Sequence, residues 1–244
     1  MAHIIITGAT GLAGSVILQQ ALASPSIAKI SILSRRPVPR ADGHPKANVI
    51  IHKDFTSYPP ELLSQLSDAT ACIWAQGISS IGMKEDEYTT ITVTYPLAAA
   101  KAFTTLPGSP NKPFNFVHVS GRGADQEGKS RAMFGRVKGV AEKTLVEIAA
   151  SRKGRFTAYN LRPGGIDAGK EWLAERKPNW MERSFMAMAP VLRPLGGDWL
   201  TPVGQLAQAS IKLALGGGGK MTGEGVHADG YTLETPALRT IAGQ

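Results

Sequence analysis

The stretch IIITGATGLAGSVILQQAL, residues 4–22, decides the fold class. An apolar run typical of a buried strand passes directly into three glycines, Gly8, Gly11 and Gly14, and an apolar pattern of helical length follows. In this spacing the first glycine permits a tight turn, the second lets the backbone approach a pyrophosphate, and the third allows close packing of helix on strand. The start of the helix also offers unpaired N–H groups and a positive dipole end to phosphates. The residues predicted to hold a dinucleotide here are Thr7, Gly8, Thr10, Gly11, Leu12 and Gly14.

The rest of the chain alternates short β-rich runs with segments of helical length. The candidate strands are 3–7, 28–33, 48–52, 70–74, 114–119 and 156–161. The candidate helices are 11–23, 60–66, 86–104, 133–151 and 202–215. Near-continuous apolar strands separated by helices are typical of a parallel sheet covered on both faces. We therefore predict an α/β fold, a Rossmann-type doubly wound parallel sheet.

No interdomain linker interrupts this pattern, so we predict a single domain over residues 1–244. The pattern loosens at about 164–244, where Trp and Met are frequent and strand runs are absent. We interpret this part as a small, irregular C-terminal lobe. It packs on the main sheet as a lid, lines a substrate pocket with adaptable apolar side chains, or does both at once.

Composition limits the class of partner. The formal net charge is +8, which favours an anionic partner, but the basic residues are scattered and no recognition motif accompanies them. We therefore expect a phosphorylated cofactor and a small-molecule substrate rather than nucleic acid. The single cysteine, Cys72, excludes a disulfide framework within the chain, and the five dispersed histidines form no ligand pair, so no metal site is predicted.

The sequence carries no sign of a targeting or membrane segment. The apolar run at the N-terminus lacks the features of a secretory signal or an Arg-rich presequence. No stretch approaches the roughly 18–20 apolar residues that a membrane span needs. Cytoplasm is the default expectation, with peripheral contact of the basic surface to a membrane as the alternative.

The end of the second predicted strand indicates which dinucleotide binds. Binders of NAD usually carry an acidic residue about 20 positions beyond the glycine motif, where it contacts the ribose hydroxyls. This chain instead has Ser34, Arg35 and Arg36, a hydroxyl and two guanidiniums that suit a 2′-phosphate. We predict NADP(H) as the cofactor, the alternative being two solvated surface arginines. Asp54 and Phe55, after the third strand, are predicted to meet the adenine.

Five motifs together resemble a known family. In chain order they are TGATGLAG (7–14), LSRRP (33–37), VHVSGRGAD (117–125), FGRVKGVAE (134–142) and NLRPGG (160–165). This combination is similar to that of atypical short-chain dehydrogenase/reductases. The likeness is strongest to the Tat-interacting-protein-like oxidoreductases and their fungal mitochondrial relatives, while NmrA-like proteins share the first motif. The resemblance covers residues 3–165 well and the remainder loosely.

The resemblance implies roles for particular residues. Ser120 stands where the family's catalytic serine holds the substrate carbonyl. Lys138 stands where the family's lysine binds the nicotinamide ribose and lowers the pKa of a catalytic tyrosine. Arg162, Pro163 and Gly164 match the loop that closes beside the nicotinamide. The family therefore implies an NADPH-dependent oxidoreductase acting on a small carbonyl or conjugated substrate.

The chain departs from the family at the tyrosine, because Phe134 stands in its place. A phenyl ring donates no proton, and a general acid is worth roughly 10²–10⁴ in rate. The proton could come from water, from a substrate hydroxyl, or from Tyr88 or Tyr95 on the preceding helix, and a conjugated alkene or iminium would need no strong acid. The alternatives are a non-catalytic NADPH-binding regulatory or partner-binding protein, and a non-redox isomerase or cyclase on the same fold.

Two further expectations concern the surroundings of this motif. Val137, Val140, Ala141, Leu145 and Ile148 recur at helical spacing and predict a core stripe on the helix that carries Lys138. His118, in the middle of a predicted strand with an apolar neighbour on each side, is interpreted as a satisfied core histidine rather than a base.

Overall fold

The computed structural model describes residues 1–107, 111–168 and 197–243. The strands are β1 (Ala2–Thr7), β2 (Ile27–Ser34), β3 (Ala47–Ile51), β4 (Ala71–Trp74), β5 (Phe114–Val119), β6 (Phe156–Arg162), β7 (Gly165–Asp167), β8 (Leu200–Pro202) and β9 (Thr232–Glu234). The α-helices are α1 (Leu12–Ala23), α2 (Pro60–Gln65), α3 (Glu85–Thr89), α4 (Tyr95–Phe103), α5 (Met133–Ser151), α6 (Val203–Leu215) and α7 (Thr235–Ala242). Short 3-10 turns cover Pro39–Ala41 and Gly197–Trp199, and a π-helical turn covers Thr90–Thr94.

Seven strands form one parallel sheet in the order β3-β2-β1-β4-β5-β6-β9. This confirms the predicted Rossmann-type doubly wound fold. The strand order reverses beside β1, whose two neighbours are β2 and β4, and such a reversal opens a crevice at the carboxyl ends of the strands. The glycine turn follows β1 and therefore lies in that crevice.

The two faces of the sheet are buried in separate apolar clusters. Ile4 and Ile6 belong to the cluster that includes side chains of α1, α6 and α7. Ile5 points to the opposite face and joins aromatic residues such as Trp74 and Phe103. Successive residues of a strand face opposite sides, so a continuous apolar run is what a sheet with two covered faces requires.

The predicted helix 86–104 is interrupted. It consists of α3, the π-helical turn and α4, and Pro96 lies in the first turn of α4. Proline lacks an N–H, and its ring clashes with the carbonyl four residues earlier in a regular α-helix. A wider turn of the π type relieves this conflict.

Residues after 196 add more regular structure than the sequence indicated. β8 pairs with β7, while β9 joins the main sheet beside β6. These strands have three residues each, too short to recognise as runs, whereas the predicted helix 202–215 corresponds to α6. The predicted lobe at about 164–244 includes 169–196, which lie outside the described residues, so the domain organisation stays a prediction.

One prediction for α5 is wrong. Val140 was expected in the core stripe, but its side chain is 51% exposed. The buried face of α5 is centred near Lys138, because its buried residues are Gly135, Val137, Gly139, Ala141, Glu142 and Leu145. Val140 lies about 200° around the helix from that centre, at about 100° per residue. The apolar spacing was misleading because this helix buries polar and glycine residues against the sheet.

The first test concerns the contact between α1 and the turn before it. A Cβ on Gly14 would lie 2.1 Å from the carbonyl oxygen of Gly8, and this neighbour is backbone that cannot rotate away. We expect Gly14→Ala to lower the free energy of unfolding by about 1–3 kcal/mol, measured by urea denaturation. Gly219→Ala is the control, because a Cβ there meets nothing within 4 Å and it should change stability little. Equal losses in the two variants would contradict this interpretation.

Candidate functional site

The glycine turn lies in close contact with the end of β4 on one side and with α1 on the other. Gly8 has φ +70°, a left-handed conformation that suits glycine, and a Cβ there would lie 2.3 Å from the carbonyl oxygen of Ala75 after β4. The amide of Gly11 donates to the carbonyl of Gly8 at 2.8 Å. The backbone therefore forms the floor of the crevice at its narrowest point. Nothing in the sequence indicated that Ala75 borders the site. Its role becomes visible only in the structure, where the ends of β1 and β4 lie close together.

The start of α1 is suited to an anion. Gly11 is the N-cap residue and offers no side chain to the free amides of the first turn, which contains no acidic residue. The hydroxyl of Thr7 is buried at the end of β1, and its Oγ1 has no hydrogen-bond partner among the described residues. Unpaired N–H groups, the helix dipole and this hydroxyl lie together where the sequence predicted a pyrophosphate.

A group of exposed cations lies next to this turn. Arg35 and Arg36 follow β2, the strand beside β1, and neither forms an ion pair with another described residue. Ser34 is buried, and its hydroxyl accepts a hydrogen bond from the amide of Arg36 at 3.3 Å. Lys53, which sequence reasoning missed, is also exposed and follows β3, the strand that pairs with β2. Three cations therefore surround the carboxyl end of β2.

The predicted adenine contacts have different surroundings. Phe55 is 1% exposed, and its ring packs against Trp74, with ring centroids 5.8 Å apart. The ring is thus enclosed in the core, so a ligand could reach only the backbone of this residue. Asp54 is exposed, and hydrogen bonds from the hydroxyl and amide of Thr56 lower the pKa of its carboxyl.

Ser120 and Lys138 come together although they lie on different elements. Ser120 directly follows β5, its amide donates to the carbonyl of Leu161 at 2.8 Å, and its buried Oγ has no partner within the described part of the chain. The Lys138 side chain passes beside Gly121. Its Cε would lie 3.6 Å and its Nζ 3.9 Å from a Cβ built there. The lysine ammonium is therefore next to the loop that begins at Ser120.

Phe134 borders the same loop. Its Cζ and Cε2 atoms would lie 3.2 and 3.3 Å from a Cβ on Gly123. The rest of the ring is partly buried against a small apolar cluster that includes Tyr88 and Val137. The ring edge that carries the hydroxyl in a tyrosine is thus beside the Ser120 loop, one helical turn before Lys138.

Neither tyrosine considered as an alternative proton donor is well placed. Tyr88 is 1% exposed behind Phe134, and burial raises the pKa of its hydroxyl. Tyr95 packs toward the other cluster, with its ring centroid 5.9 Å from that of Phe55. Both side chains are therefore part of the core packing on the α3–α4 side of the sheet.

A buried polar network lies behind Lys138. Glu142, 0% exposed, accepts hydrogen bonds from Nε of Arg162 at 3.0 Å and from Gln126 at 3.1 Å. His118 is buried, and its Nδ1 lies 3.1 Å from Oδ1 of Asn160, as expected for a satisfied core histidine. Sequence reasoning missed Glu142, because a glutamate on a helix gives no sign of burial until its partner is known.

Burial controls the charges of this network. It lowers the pKa of Lys138 to about 8, against the opposing effect of the Glu142 carboxylate. It also lowers the pKa of His118 to about 4, and the Lys138 charge acts in the same direction. The histidine is therefore neutral at physiological pH, while the lysine titrates close to it.

An ion pair and backbone hydrogen bonds hold the loop Arg162, Pro163 and Gly164, which was predicted to close beside the nicotinamide. The guanidinium of Arg162 is directed to Glu142, so a contact of this side chain with a cofactor would have to break a buried ion pair. The carbonyl of Pro163 accepts the amide of Arg122 at 2.8 Å, and the amide of Gly164 donates to the hydroxyl of Thr201 at 3.0 Å. The loop therefore connects the main sheet to β8.

Some classes of site find no support in the described residues. No three or more His, Cys, Asp or Glu within 1–107, 111–168 and 197–243 are grouped so as to hold a metal ion. Across the same ranges, no helix has both the length and the apolar character that a bilayer span requires.

Comparison with known proteins identifies the family. The leucinostatins biosynthesis cluster protein T of Purpureocillium lilacinum is 34% identical to this chain, over 97% of the chain and 94% of that protein. The chain belongs to the protein T family. The mitochondrial protein fmp52 of Emericella nidulans is a more distant relative, 26% identical over 88% of each chain. No family model matches the sequence.

Solved structures share the fold of this protein T family member. The PhqB reductase domain from Penicillium fellutanum has a TM-score of 0.66 at 16% identity, and the chain covers 64% of its length. Gre2 from Candida albicans, in complex with NADPH, also has a TM-score of 0.66 at 16% identity, with 73% of its length covered. A UDP-glucuronic acid 4-epimerase from Bacillus cereus, in complex with NAD, has a TM-score of 0.60 at 14% identity, with 71% covered. One of these neighbours is a reductase domain, one binds NADPH and one is an epimerase that binds NAD, and at such identities the likeness concerns the fold.

The second test concerns the buried pair. Glu142→Gln leaves the buried Arg162 guanidinium with only the more distant Glu234 carboxylate, 3.9 Å away, as a counter-charge, so we expect a loss of about 3–5 kcal/mol in the free energy of unfolding. The control is Glu85→Gln, which breaks the partly exposed pair of Glu85 with Arg136 and should cost about 1 kcal/mol or less. Adding Arg162→Met to the first variant should recover part of the loss. Chemical denaturation measures all three, and equal costs at the two sites would contradict the assigned burial.

Proposed function

We propose that this chain is an NADPH-dependent oxidoreductase of the atypical short-chain dehydrogenase type, reducing a small carbonyl or conjugated substrate. The observation that carries the proposal is the pair of exposed guanidiniums, Arg35 and Arg36, which follow the strand next to the glycine turn. In that turn a side chain at Gly8 or Gly14 would collide with neighbouring backbone. A turn of this kind suits the pyrophosphate, and the cations suit a further phosphate on the adenosine ribose.

The residues fit this cofactor on grounds of the structure itself. The Thr7 hydroxyl has no described partner, the first amides of α1 are not capped by a side chain, and the cations around Ser34 lack described counter-ions. We propose that the glycine turn holds the pyrophosphate and that Arg35, Arg36 and Lys53 hold the 2′-phosphate. When bound, the cofactor would supply a hydride.

The catalytic roles are assigned to two residues. Ser120 Oγ, buried and without a described partner, would donate a hydrogen bond to the substrate carbonyl. Lys138 Nζ, beside the Ser120 loop, would hold the nicotinamide ribose. Because Arg162 is paired with Glu142, we propose that the backbone of Pro163 and Gly164 closes the site while the arginine supports it from behind.

The relatives favour a reaction in a biosynthetic sequence. The protein T relative is named for a biosynthesis cluster, and the PhqB neighbour is a reductase domain. We propose that the substrate is a biosynthetic intermediate with a reducible carbonyl or conjugated double bond. Cytoplasm stays the proposed location, with mitochondrial association as the alternative because fmp52 is named as mitochondrial.

Two other functions remain as alternatives. A non-catalytic NADPH-binding protein is favoured by the absence of a phenol at Phe134, and it would bind the cofactor without oxidising it. A non-redox isomerase or cyclase is favoured by the fold shared with an epimerase, and it would turn over with no change in cofactor redox state. Absorbance at 340 nm during incubation with a panel of carbonyl and conjugated compounds separates the reductase from the two alternatives, and product analysis of the same mixtures separates turnover without redox change from binding alone.

The third test measures cofactor choice by calorimetry. We expect the unaltered chain to bind NADPH more tightly than NADH. The double variant Arg35→Gln/Arg36→Gln should lose roughly 10²–10⁴-fold in NADPH affinity, because two charge-assisted hydrogen bonds at about 1.5–3 kcal/mol each amount to about 3–6 kcal/mol. Affinity for NADH should change little. Arg152→Gln/Lys153→Gln removes the same charge from exposed residues after α5 and serves as the control. Preference for NADH in the unaltered chain would refute the assignment.

The fourth test restores the phenol. Because the Phe134 ring edge faces the Ser120 loop, Phe134→Tyr should raise the rate of carbonyl reduction at least tenfold if the site has no other proton donor, since a general acid contributes roughly 10²–10⁴. Phe134→Met, which adds no proton donor, is the control and should give no rise. Steady-state kinetics with a single aldehyde would measure this. An unchanged rate in Phe134→Tyr would show either that another group already donates the proton or that the ring does not reach the substrate oxygen.

A further inference from the structure

We propose that Lys138 is itself the proton donor of this enzyme, its Nζ taking over the role that a tyrosine at position 134 would have. The inference rests on the proposed function, because it assumes hydride transfer to a carbonyl held by Ser120. It adds a catalytic role for Lys138 beyond binding the cofactor ribose.

The first argument is geometric. Lys138 lies at the centre of the face that α5 turns toward the sheet, between the buried glycines Gly135 and Gly139. Its Nζ would be 3.9 Å from a Cβ on Gly121, the residue that follows Ser120. Among the described residues Nζ forms no ion pair and no hydrogen bond, so its protons are free to point into the site.

The second argument is that the other acids nearby are blocked. Tyr88 is buried behind the Phe134 ring, and Tyr95 packs against Phe55. His118 cannot serve, because its tautomer is set by Asn160. The Asn160 amide donates Nδ2–H to the carbonyl of Glu142 at 3.3 Å, so its Oδ1 accepts from Nδ1–H of His118. The remaining nitrogen of the neutral ring has a lone pair and no proton to give.

The charges around Lys138 favour proton release near neutral pH. Two titratable groups interact with its charge, Glu142 on α5 and His118 on β5. The carboxylate of Glu142 is itself paired with Arg162 on β6, and His118 is uncharged at neutral pH. Burial therefore outweighs attraction, and the pKa of Lys138 falls to about 8, where an ammonium is a useful acid.

The proposed step balances as follows. The carbonyl carbon receives a hydride from the reduced nicotinamide, and the π electron pair moves to oxygen. That oxygen takes a proton from Lys138 Nζ, giving an alcohol and a neutral amine. The half-buried amine then regains a proton from solvent. Ser120 Oγ donates a hydrogen bond throughout and loses no proton.

The experiment has one arm that needs neither cofactor nor turnover. The chain is labelled with ¹³C at lysine Cε, and the chemical shifts are followed from pH 6 to 11 by NMR. Lys138 is assigned by its absence from Lys138→Arg. We expect one lysine signal to titrate at about pH 8, with the exposed lysines serving as internal reference. A Lys138 signal that titrates together with the exposed lysines would overturn the proposal.

The second arm separates proton donation from ribose binding. Arginine keeps the positive charge but does not give up a proton below pH 12. We expect Lys138→Arg to bind NADPH within about threefold of the unaltered chain by calorimetry, while the rate of carbonyl reduction falls roughly 10²–10⁴-fold. In the unaltered chain kcat/KM should decline tenfold per pH unit above pH 8, and the variant should lack this decline.

The outcomes distinguish the inference from the proposed function. If NADPH neither binds nor is oxidised, the proposed function fails. If the unaltered chain oxidises NADPH but Lys138→Arg keeps a rate within about threefold and the same pH profile, the function stands and Lys138 is not the donor. Lys138→Met, which removes both charge and proton, should weaken NADPH binding as well. A Lys138→Met variant that binds NADPH normally and stays fully active would also overturn the proposal.

Discussion

The structure depends on one contact in which backbone meets backbone. Gly8 lies between the carbonyl oxygen of Ala75 on one side and the start of α1 on the other, where a Cβ on Gly14 would collide with the Gly8 carbonyl. Only the absence of side chains lets β1, β4 and α1 converge here. The convergence creates the crevice at the carboxyl edge, directs the free amides of α1 into it, and brings the cations after β2 next to them.

A second constraint is the polar interior on the far side of the crevice. The pair of Glu142 with Arg162 holds α5 against β6 through buried charges, and Asn160 connects the same helix to His118. Such a network fixes the orientation of its members because each buried polar atom needs a partner. It holds Lys138 beside the Ser120 loop, where burial lowers the pKa of the lysine. The same interior thus serves stability and the proposed chemistry.

Much of this could be predicted from the sequence. The continuous apolar strands and the glycine spacing are local patterns, and they predicted the fold and the position of the turn. Ser120 and Lys138 were named from motif order, and the structure brings them together. Phe55 shows the limit, because an aromatic residue after a strand can face either a ligand or the core. Its packing against Trp74 is a property of the assembled sheet.

By itself the sequence determined the strand–helix alternation, the turn at Gly8 and the cations at Arg35 and Arg36, since each depends on residues close together in the chain. Only the tertiary structure decided which face of α5 is buried, that Arg162 is paired with Glu142, and that β9 completes the main sheet. These features depend on contacts between residues far apart in the chain, where burial changes the charge and the role of a side chain that looks ordinary in the sequence.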